Sequence, residues 1–328
     1  LLEERAIDPF IQLTDVARHY SVRGGLLGTR RGSVRAVDGV TLEVLRGETL
    51  GLVGESGCGK STLARLLLRL ERPSAGRIVV DGQDLARAGA RFLAAYPRKV
   101  QMVFQDPFSS LNPRWSVGAA IVEPLAIHGM PRAARAARLA ELMERVGLRP
   151  ELARRYPHEF SGGQRQRVAI ARALALNPDC VVCDEPVSAL DVSIQAQVIN
   201  LLRELQRDFG LTYVFISHDL SVVGHVSDRV AVMYLGRLVE LAPSQELFTA
   251  PLHPYTQALL RAVPVPDPAR RSRSGRLGGD PPSPLAPPAG CPFHPRCPEA
   301  TAVCAQSAPA WAEVAPGRRV ACHLHPPA

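Results

Sequence analysis

The 328-residue chain is 46% hydrophobic and carries 39 Lys+Arg against 31 Asp+Glu, a net charge of +8. This content excludes a disordered polymer, the length sets a prior of about two domains, and no apolar run approaches the ~20 residues that span a bilayer. Leu1–Phe10 lacks the basic-then-apolar order of a signal peptide, so the expectation is a soluble cytoplasmic chain. A basic balance alone does not choose among nucleotide, nucleic acid and anionic membrane. The arginines are scattered, with local clusters only, which makes a dedicated nucleic-acid face the less economical reading.

Ile11–Tyr20 and Ala36–Val44 alternate apolar and polar positions, and with Arg77–Asp81 they predict an antiparallel β layer. Between the first two, Ser21–Ser33 is rich in Gly and Arg and predicts a long hairpin loop. The apolar run Thr49–Val53 then leads into Gly54-Glu55-Ser56-Gly57-Cys58-Gly59-Lys60-Ser61-Thr62, and the helical pattern Leu63–Leu70 follows. This is a phosphate-binding loop in the strand–loop–helix setting that it requires. Its glycines let consecutive N–H groups turn inward around phosphate oxygens, the Lys60 ammonium reaches the β/γ-phosphates, and the Ser61 hydroxyl meets Mg²⁺. The chain has only two lysines, Lys60 and Lys99. Retaining one here points to a need for a compact charge that arginine's fork does not supply.

From Ser116 to Leu148 the pattern is helical, broken at Gly129-Met130-Pro131 and at Gly147, and reads as an inserted helical subdomain. Ser161-Gly162-Gly163-Gln164 opens the next predicted helix, Gly163 to Leu176. Serine and two glycines there offer N–H groups to an anion, although the tetrapeptide alone reads more readily as an ordinary N-cap turn. The buried strand Cys180–Asp184 ends on Asp184-Glu185. An aspartate at such a position holds a Mg²⁺ shell, and Glu185 is placed to accept a proton from attacking water. A helix Ser193–Phe209 and a strand Leu211–Ser217 complete an alternation that predicts a mostly parallel sheet covered on both faces. Beyond about Ala242 the character changes. Pro264–Gly290 has a linker composition, and Cys291, Cys297, Cys304 and Cys322 follow it, a cluster that in a reducing compartment suggests metal ligation before disulfides.

Together these motifs resemble the ATP-binding subunits of ABC transporters, from about Ile11 to the end of the chain. Walker A is Gly54–Thr62, the Q-loop residue is Gln105, the signature is Ser161–Gln164 after Phe160, and Walker B is Cys180–Asp184. Glu185 follows as the catalytic carboxylate, Ser188–Asp191 is the D-loop, and His218 is the switch histidine. The resemblance implies an α/β P-loop NTPase of ABC type with an antiparallel β layer, an inserted helical subdomain and a small cysteine-bearing C-terminal extension. The implied domains are 1–242, with the helical subdomain at about 106–176, and 243–328, with a linker at 264–290 and the cysteine cluster at 291–322.

The same resemblance assigns catalysis to Glu185, His218 and Gln105, and ATP to Gly54–Thr62 of one subunit with Ser161–Gln164 of another. It assigns Mg²⁺ to Ser61, Gln105 and Asp184, and adenine stacking to Tyr20, for which a plain core tyrosine is the alternative. His253-Pro254-Tyr255-Thr256 and Cys291-Pro292-Phe293-His294-Pro295-Arg296-Cys297 look like the oligopeptide/dipeptide and nickel importer ATPases. That narrows the expected partners to a second, distinct ABC ATPase, two transmembrane permease subunits and an extracytoplasmic solute-binding protein, with the chain peripheral on the cytoplasmic face of the cell membrane and no nucleic acid bound.

For the tail, the resemblance points to a [4Fe–4S] cluster on Cys291, Cys297, Cys304 and Cys322. Zinc, or free or redox-active thiols, remain as alternatives. Lying far along the chain from every nucleotide motif, the tail is expected to act structurally. A nucleic-acid ATPase and a non-hydrolysing regulatory module are the rival readings. The first usually shows two nucleotide units or a long coiled coil, and the intact Glu185 and His218 oppose the second.

Overall fold

The structure is a computed structural model and describes residues 9–24, 29–106, 110–262 and 279–326. Among these the strands run β1 (Pro9–Gly24), β2 (Thr29–Leu45), β3 (Thr49–Val53), β4 (Ala75–Val80), β5 (Gln83–Asp84) and β6 (Val100–Val103). They continue as β7 (Cys180–Asp184), β8 (Thr212–Ile216), β9 (Arg229–Tyr234), β10 (Arg237–Pro243), β11 (Ala312–Ala315) and β12 (Arg318–Val320). The chain forms two compact units: Leu1–Val44, Leu50–Arg87 and Ser217–Ala328 make one, Leu45–Thr49 and Ala88–Ile216 the other.

In the first unit the expected antiparallel layer is a four-stranded sheet of order β2-β1-β4-β5. Ile11 and Leu13 stand opposite Val80 and Ile78, so the apolar face of each strand is buried by its neighbour's. The register shifts between Thr14 and Ala17, where Asp15 takes a φ of 49°. A Cβ at Gly76 would come within 2.3 Å of the Asp15 carbonyl oxygen, which requires glycine there. The long loop expected over Ser21–Ser33 is largely strand instead: β1 runs to Gly24 and β2 starts at Thr29, while 25–28 lie outside the described residues. Strand pairing overrides the weak local preferences of a Gly- and Arg-rich segment.

The same unit holds β3 beside β9 in parallel, Leu50 to Val53 opposite Arg229 to Val232. Continuous burial along β3 explains why it reads as an unbroken apolar run. β10 pairs antiparallel with β9 and with β12, and β11 with β12. The cysteine-bearing tail therefore returns to the sheet and extends it by two strands, with Glu240 opposite Val320 and Leu241 opposite Arg319. Residues 243–328, expected as an extension, lie in the same compact unit as the β layer. Part of the expected linker, 264–278, is outside the described residues.

In the second unit β8, β7 and β6 run parallel, side by side. The expected helical subdomain supplies helices Val117–Ile127 and Arg132–Arg145, separated at the Gly129-Met130-Pro131 break. Ser116 caps the first of them through the Ala119 N–H. Arg172 fastens this region internally, donating to the Ser110 carbonyl at 2.8 Å and to the Glu123 carboxylate at 2.8 Å. Helix Gly162–Leu174 precedes β7, and helix Val192–Phe209 follows it and stops at Gly210 in the left-handed conformation, φ 64°.

Candidate functional site

The phosphate loop bridges β3 and helix Lys60–Leu67 in the first unit. Two of its glycines are demanded by close packing. Gly54 has φ 152° and a Cβ there would sit 2.2 Å from the Met233 carbonyl oxygen, while at Gly59, φ 113°, it would sit 2.1 Å from that of Ala36. No side chain caps the helix at Gly59, so its start is offered to an anion rather than sealed. Lys60 is only 6% exposed. Its Nζ donates to the carbonyls of Gly54 at 2.7 Å and Glu55 at 3.0 Å, so the ammonium is already folded into the loop that it serves. Burial pushes the Cys58 thiol up, which makes it a packing residue rather than a reactive one.

A second set of contacts fixes Glu55, and its source was not legible in the sequence. The Glu55 N–H donates to the Tyr255 hydroxyl at 2.9 Å, and the Arg296 guanidinium donates to both Glu55 carboxylate oxygens at 2.8 and 3.0 Å. Tyr255 belongs to the His253-Pro254-Tyr255-Thr256 motif, where buried His253 caps the helix Pro254–Arg261. Glu240, fully buried, accepts from the N–H groups of Leu252 and His253. The rings of Tyr234, Tyr255 and Phe293 pack with centroids 4.7 to 5.3 Å apart. The expected separation of the tail from the nucleotide motifs is therefore a separation in sequence and not in space. Contacts across so many residues leave no local periodicity to read.

Tyr20 and His218 lie in the same unit. The Tyr20 hydroxyl hydrogen-bonds the Glu71 carboxylate, and the Arg18 guanidinium lies 4.6 Å from its ring centroid. That hydrogen bond, with Arg18 beside it, holds the Glu71 carboxyl below its ordinary range. Tyr20 is half-buried, one face towards Arg18. His218 is exposed just past β8, and the next residue, Asp219, caps helix Leu220–Val226 through the N–H groups of Ser221 and Val222.

The second unit brings Gln105 to Glu185. The Gln105 amide donates to the Glu185 carboxylate at 2.8 Å, joining the end of β6 to the end of β7, beside Asp184. Glu185 takes φ 48°, a left-handed conformation uncommon for a residue with a side chain, and its N–H donates to the Ile216 carbonyl at 2.9 Å. The D-loop follows as a tight turn, with the Gln195 amide donating to the carbonyls of Val187 and Leu190, each at 3.0 Å. At the signature, Ser161 and Gln164 form a reciprocal capping box. Ser161 and Gly162 are exposed while Gly163 is buried, and a Cβ at Gly163 would lie 2.5 Å from Ile194 Cγ2. The first two signature residues thus face solvent, and the third packs. In the segment that follows Gln105, 107–109 lie outside the described residues; Phe104 and Trp115 are exposed.

The four tail cysteines gather in the first unit, Cys291 and Cys304 buried, Cys297 and Cys322 half-buried. Burial pushes the Cys322 thiol up to about 11, and the other three thiols reinforce the shift. The Cys291 N–H donates to the Cys304 carbonyl at 2.8 Å, which holds two of the segments together. Four neighbouring thiols are a donor set suited to zinc or a cluster. Among the described residues, however, no three His, Cys, Asp or Glu side chains are arranged to hold a metal ion. No helix of the described residues is long and apolar enough to cross a membrane.

Residues 37–188 match the family described as ABC transporter, and residues 239–304 match the oligopeptide/dipeptide transporter C-terminal region. Over 322 residues the chain is 54% identical to the oligopeptide transport ATP-binding protein AppF of Bacillus subtilis, with 97% of this chain and 98% of that protein covered. It is 52% identical to the probable peptide ABC transporter ATP-binding protein y4tS of Sinorhizobium fredii, over 98% of this chain and 91% of the relative. Among solved structures, cbiO1 of Clostridium perfringens, part of an ABC transporter complex, aligns with TM-score 0.64 and 28% identity over 74% of this chain and 92% of its own. The cassette MJ0796 in a dimeric post-hydrolysis state with ADP and Pi aligns with TM-score 0.63 and 28% identity over 71% and 98%. Both matched regions, in order and with full-length identity above one half, show that the chain belongs to the ATP-hydrolysing ATP-binding proteins of the ABC transporter family, in its oligopeptide/dipeptide transporter branch.

Proposed function

We propose that the chain is the ATPase subunit of an importer for di- and oligopeptides, coupling ATP binding and hydrolysis to solute movement. The substrate class rests on the full-length likeness to peptide-transport proteins. The observation that carries the hydrolytic reading is the bond from Gln105 to Glu185 at 2.8 Å, which holds a carboxylate in place beside Asp184. In this reading Gly54–Thr62 cradles the phosphates and Lys60 swings from its own loop carbonyls to the β/γ-phosphates. Mg²⁺, when bound, would neutralise phosphate charge and would be held by Ser61, Gln105 and Asp184. Glu185 takes a proton from the attacking water and His218 orients the γ-phosphate side. Positioning and electrostatics then supply most of the catalysis. Tyr20 stacks the adenine.

Ser161–Gln164 serves the nucleotide of a second ABC ATPase, in keeping with the exposure of Ser161 and Gly162. The remaining partners are two transmembrane permease subunits and a solute-binding protein, with the chain peripheral on the cytoplasmic face of the inner membrane. For the tail thiols the reading is a metal centre, a [4Fe–4S] cluster before zinc; it rests on the donor chemistry of four cysteines in one segment and requires them to draw closer than they stand, since no three are arranged to hold a metal ion. Anaerobically purified protein should then contain iron and sulfide, and Cys297→Ser should remove them; protein lacking both iron and zinc would overturn the metal reading.

The test of the function is purification of the intact complex, identification of its other subunits, and ATP-driven uptake into proteoliposomes. Uptake of a tripeptide, with two membrane proteins and a second ATPase present, is the expected result. Uptake of nickel but no peptide would overturn the substrate class.

A further inference from the structure

We propose that Arg296 is a positioning residue for ATP binding: it neutralises the Glu55 carboxylate inside the phosphate loop and holds that loop in its binding shape, so the cysteine-bearing turn acts directly on nucleotide affinity. This rests on the reading that Gly54–Thr62 holds the ATP phosphates. Glu55 is the node of the arrangement. Its carbonyl accepts from Lys60 Nζ at 3.0 Å, its N–H donates to the Tyr255 hydroxyl at 2.9 Å, and its carboxylate is taken by Arg296 at 2.8 and 3.0 Å. Any shift of Glu55 therefore moves the atoms that hold the loop lysine.

The pair is unlike an exposed ion pair, whose contribution is small. The Arg296 side chain is 5% exposed and Glu55's 26%. A guanidinium so far removed from water is tolerated because both of its forward bonds meet one carboxylate, and Arg296 also donates to the Tyr234 hydroxyl at 3.4 Å. The turn carrying it is fixed in its own right. The Arg296 N–H donates to the Phe293 carbonyl at 2.9 Å, and Phe293, 1% exposed, sits among Tyr234, Tyr255 and His253. Cys291 and Cys297 flank this turn.

Charge makes the arrangement specific to a phosphate ligand. An unpaired carboxylate in a loop that must receive a triphosphate repels it, and the repulsion is strong where solvent is partly excluded. Arg296 cancels that charge from the side while Lys60 remains for the ligand. Removing Arg296 should therefore weaken ATP binding through Glu55, and removing the Glu55 charge as well should restore much of it.

The experiment measures KM for ATP and kcat in the assembled transporter carrying Arg296→Ala, or Arg296→Ala with Glu55→Gln, and uses Lys60→Ala as a control. Arg296→Ala should raise KM about 10-fold with kcat changed less than about 2-fold, and the double variant should recover to within about 3-fold of the parent. A single variant within 2-fold of the parent KM, or a double variant no better than the single, overturns the proposal. If Arg296→Ala does not fold, Arg296→Lys keeps the charge but loses the fork; an intermediate KM supports the proposal and an unchanged one overturns it. Lys60→Ala binding ATP normally would instead overturn the reading of the loop itself.

Discussion

Arg296 closes two hydrogen bonds, at 2.8 and 3.0 Å, onto the carboxylate of Glu55, a residue 241 positions earlier in the chain. The pair makes the C-terminal turn part of the wall around the phosphate loop. With Tyr255 it also gives the His253-Pro254-Tyr255-Thr256 motif a physical task, holding the Glu55 backbone from the opposite end. Features that mark the branch of the family in sequence are, in space, supports of its nucleotide loop.

Replacing Glu185 with Gln keeps the size and one acceptor of the side chain but removes the proton-accepting charge. MgATP binding should persist while turnover falls by about 10²-fold or more. ATP titration alongside phosphate release checks this, and near-parental turnover would contradict the role given to Glu185.

Lys60 and Lys99 separate a site charge from a surface charge. Lys60 is buried in the loop, whereas Lys99 pairs with Asp179 at 3.4 Å, away from the loop. Lys60→Ala should weaken ATP binding at least about 10-fold, because it removes the ammonium expected at the phosphates, and Lys99→Ala should change it little. Equal losses in the two variants would remove the distinction.

Gly59→Ala should be destructive without removing any functional group. The position combines φ 113° with a carbonyl oxygen of Ala36 only 2.1 Å from the added Cβ. A loss of roughly 2 kcal/mol or more and weakened ATP binding are expected, read by thermal melting and nucleotide titration. Unchanged melting would show that the loop relaxes freely.

His253 links the same corner to pH. Burial lowers its pKa from 6.5 to about 3, and the nearby His325 adds to the effect; Glu240, Arg318 and Glu246 are charged side chains linked at this corner. Its Nδ1 accepts the Tyr255 N–H at 3.0 Å, so the neutral ring is the native one. Above pH 6.5 neither folded nor unfolded chain binds the proton, and the full stability is present. As pH falls from 6.5 towards 3 only the unfolded chain takes it up, costing about 1.4 kcal/mol per unit. Between pH 7 and 5 the parent should lose about 2 kcal/mol more than His253→Gln in denaturant titrations. Identical slopes would contradict a buried neutral imidazole.

Local signals carried the reading wherever the chemistry is compact in sequence. Thr49–Val53 with Gly54–Thr62, and Cys180–Asp184, combine an apolar strand with its functional end in a few residues, and the structure places β3 and β7 on those bounds. The helical region broke at Gly129 and Gly147, where the backbone takes φ 79° and 70°. β11 and β12 are not legible because each is four residues or fewer and mostly half-exposed, which leaves an alternation too short and too weak in contrast to recognise. Over Ser21–Ser33 the composition points to a loop where much of the segment is strand, since composition reports local preference and not pairing. The support of Glu55 by Arg296 and Tyr255 was out of reach for a third reason. It is a tertiary contact whose members are each unremarkable residue types in their own segments.

Whether this chain's own nucleotide site powers peptide import can be measured directly. The direct measurement is ATP-driven uptake of a labelled tripeptide into proteoliposomes containing the assembled transporter, with and without Glu185→Gln in this subunit, while ATP binding is followed in the same preparations. Peptide uptake by the parent, and its loss in a variant that still binds ATP, is the predicted result; uptake that is undiminished in the variant, or driven by ATP for no peptide at all, would contradict the account.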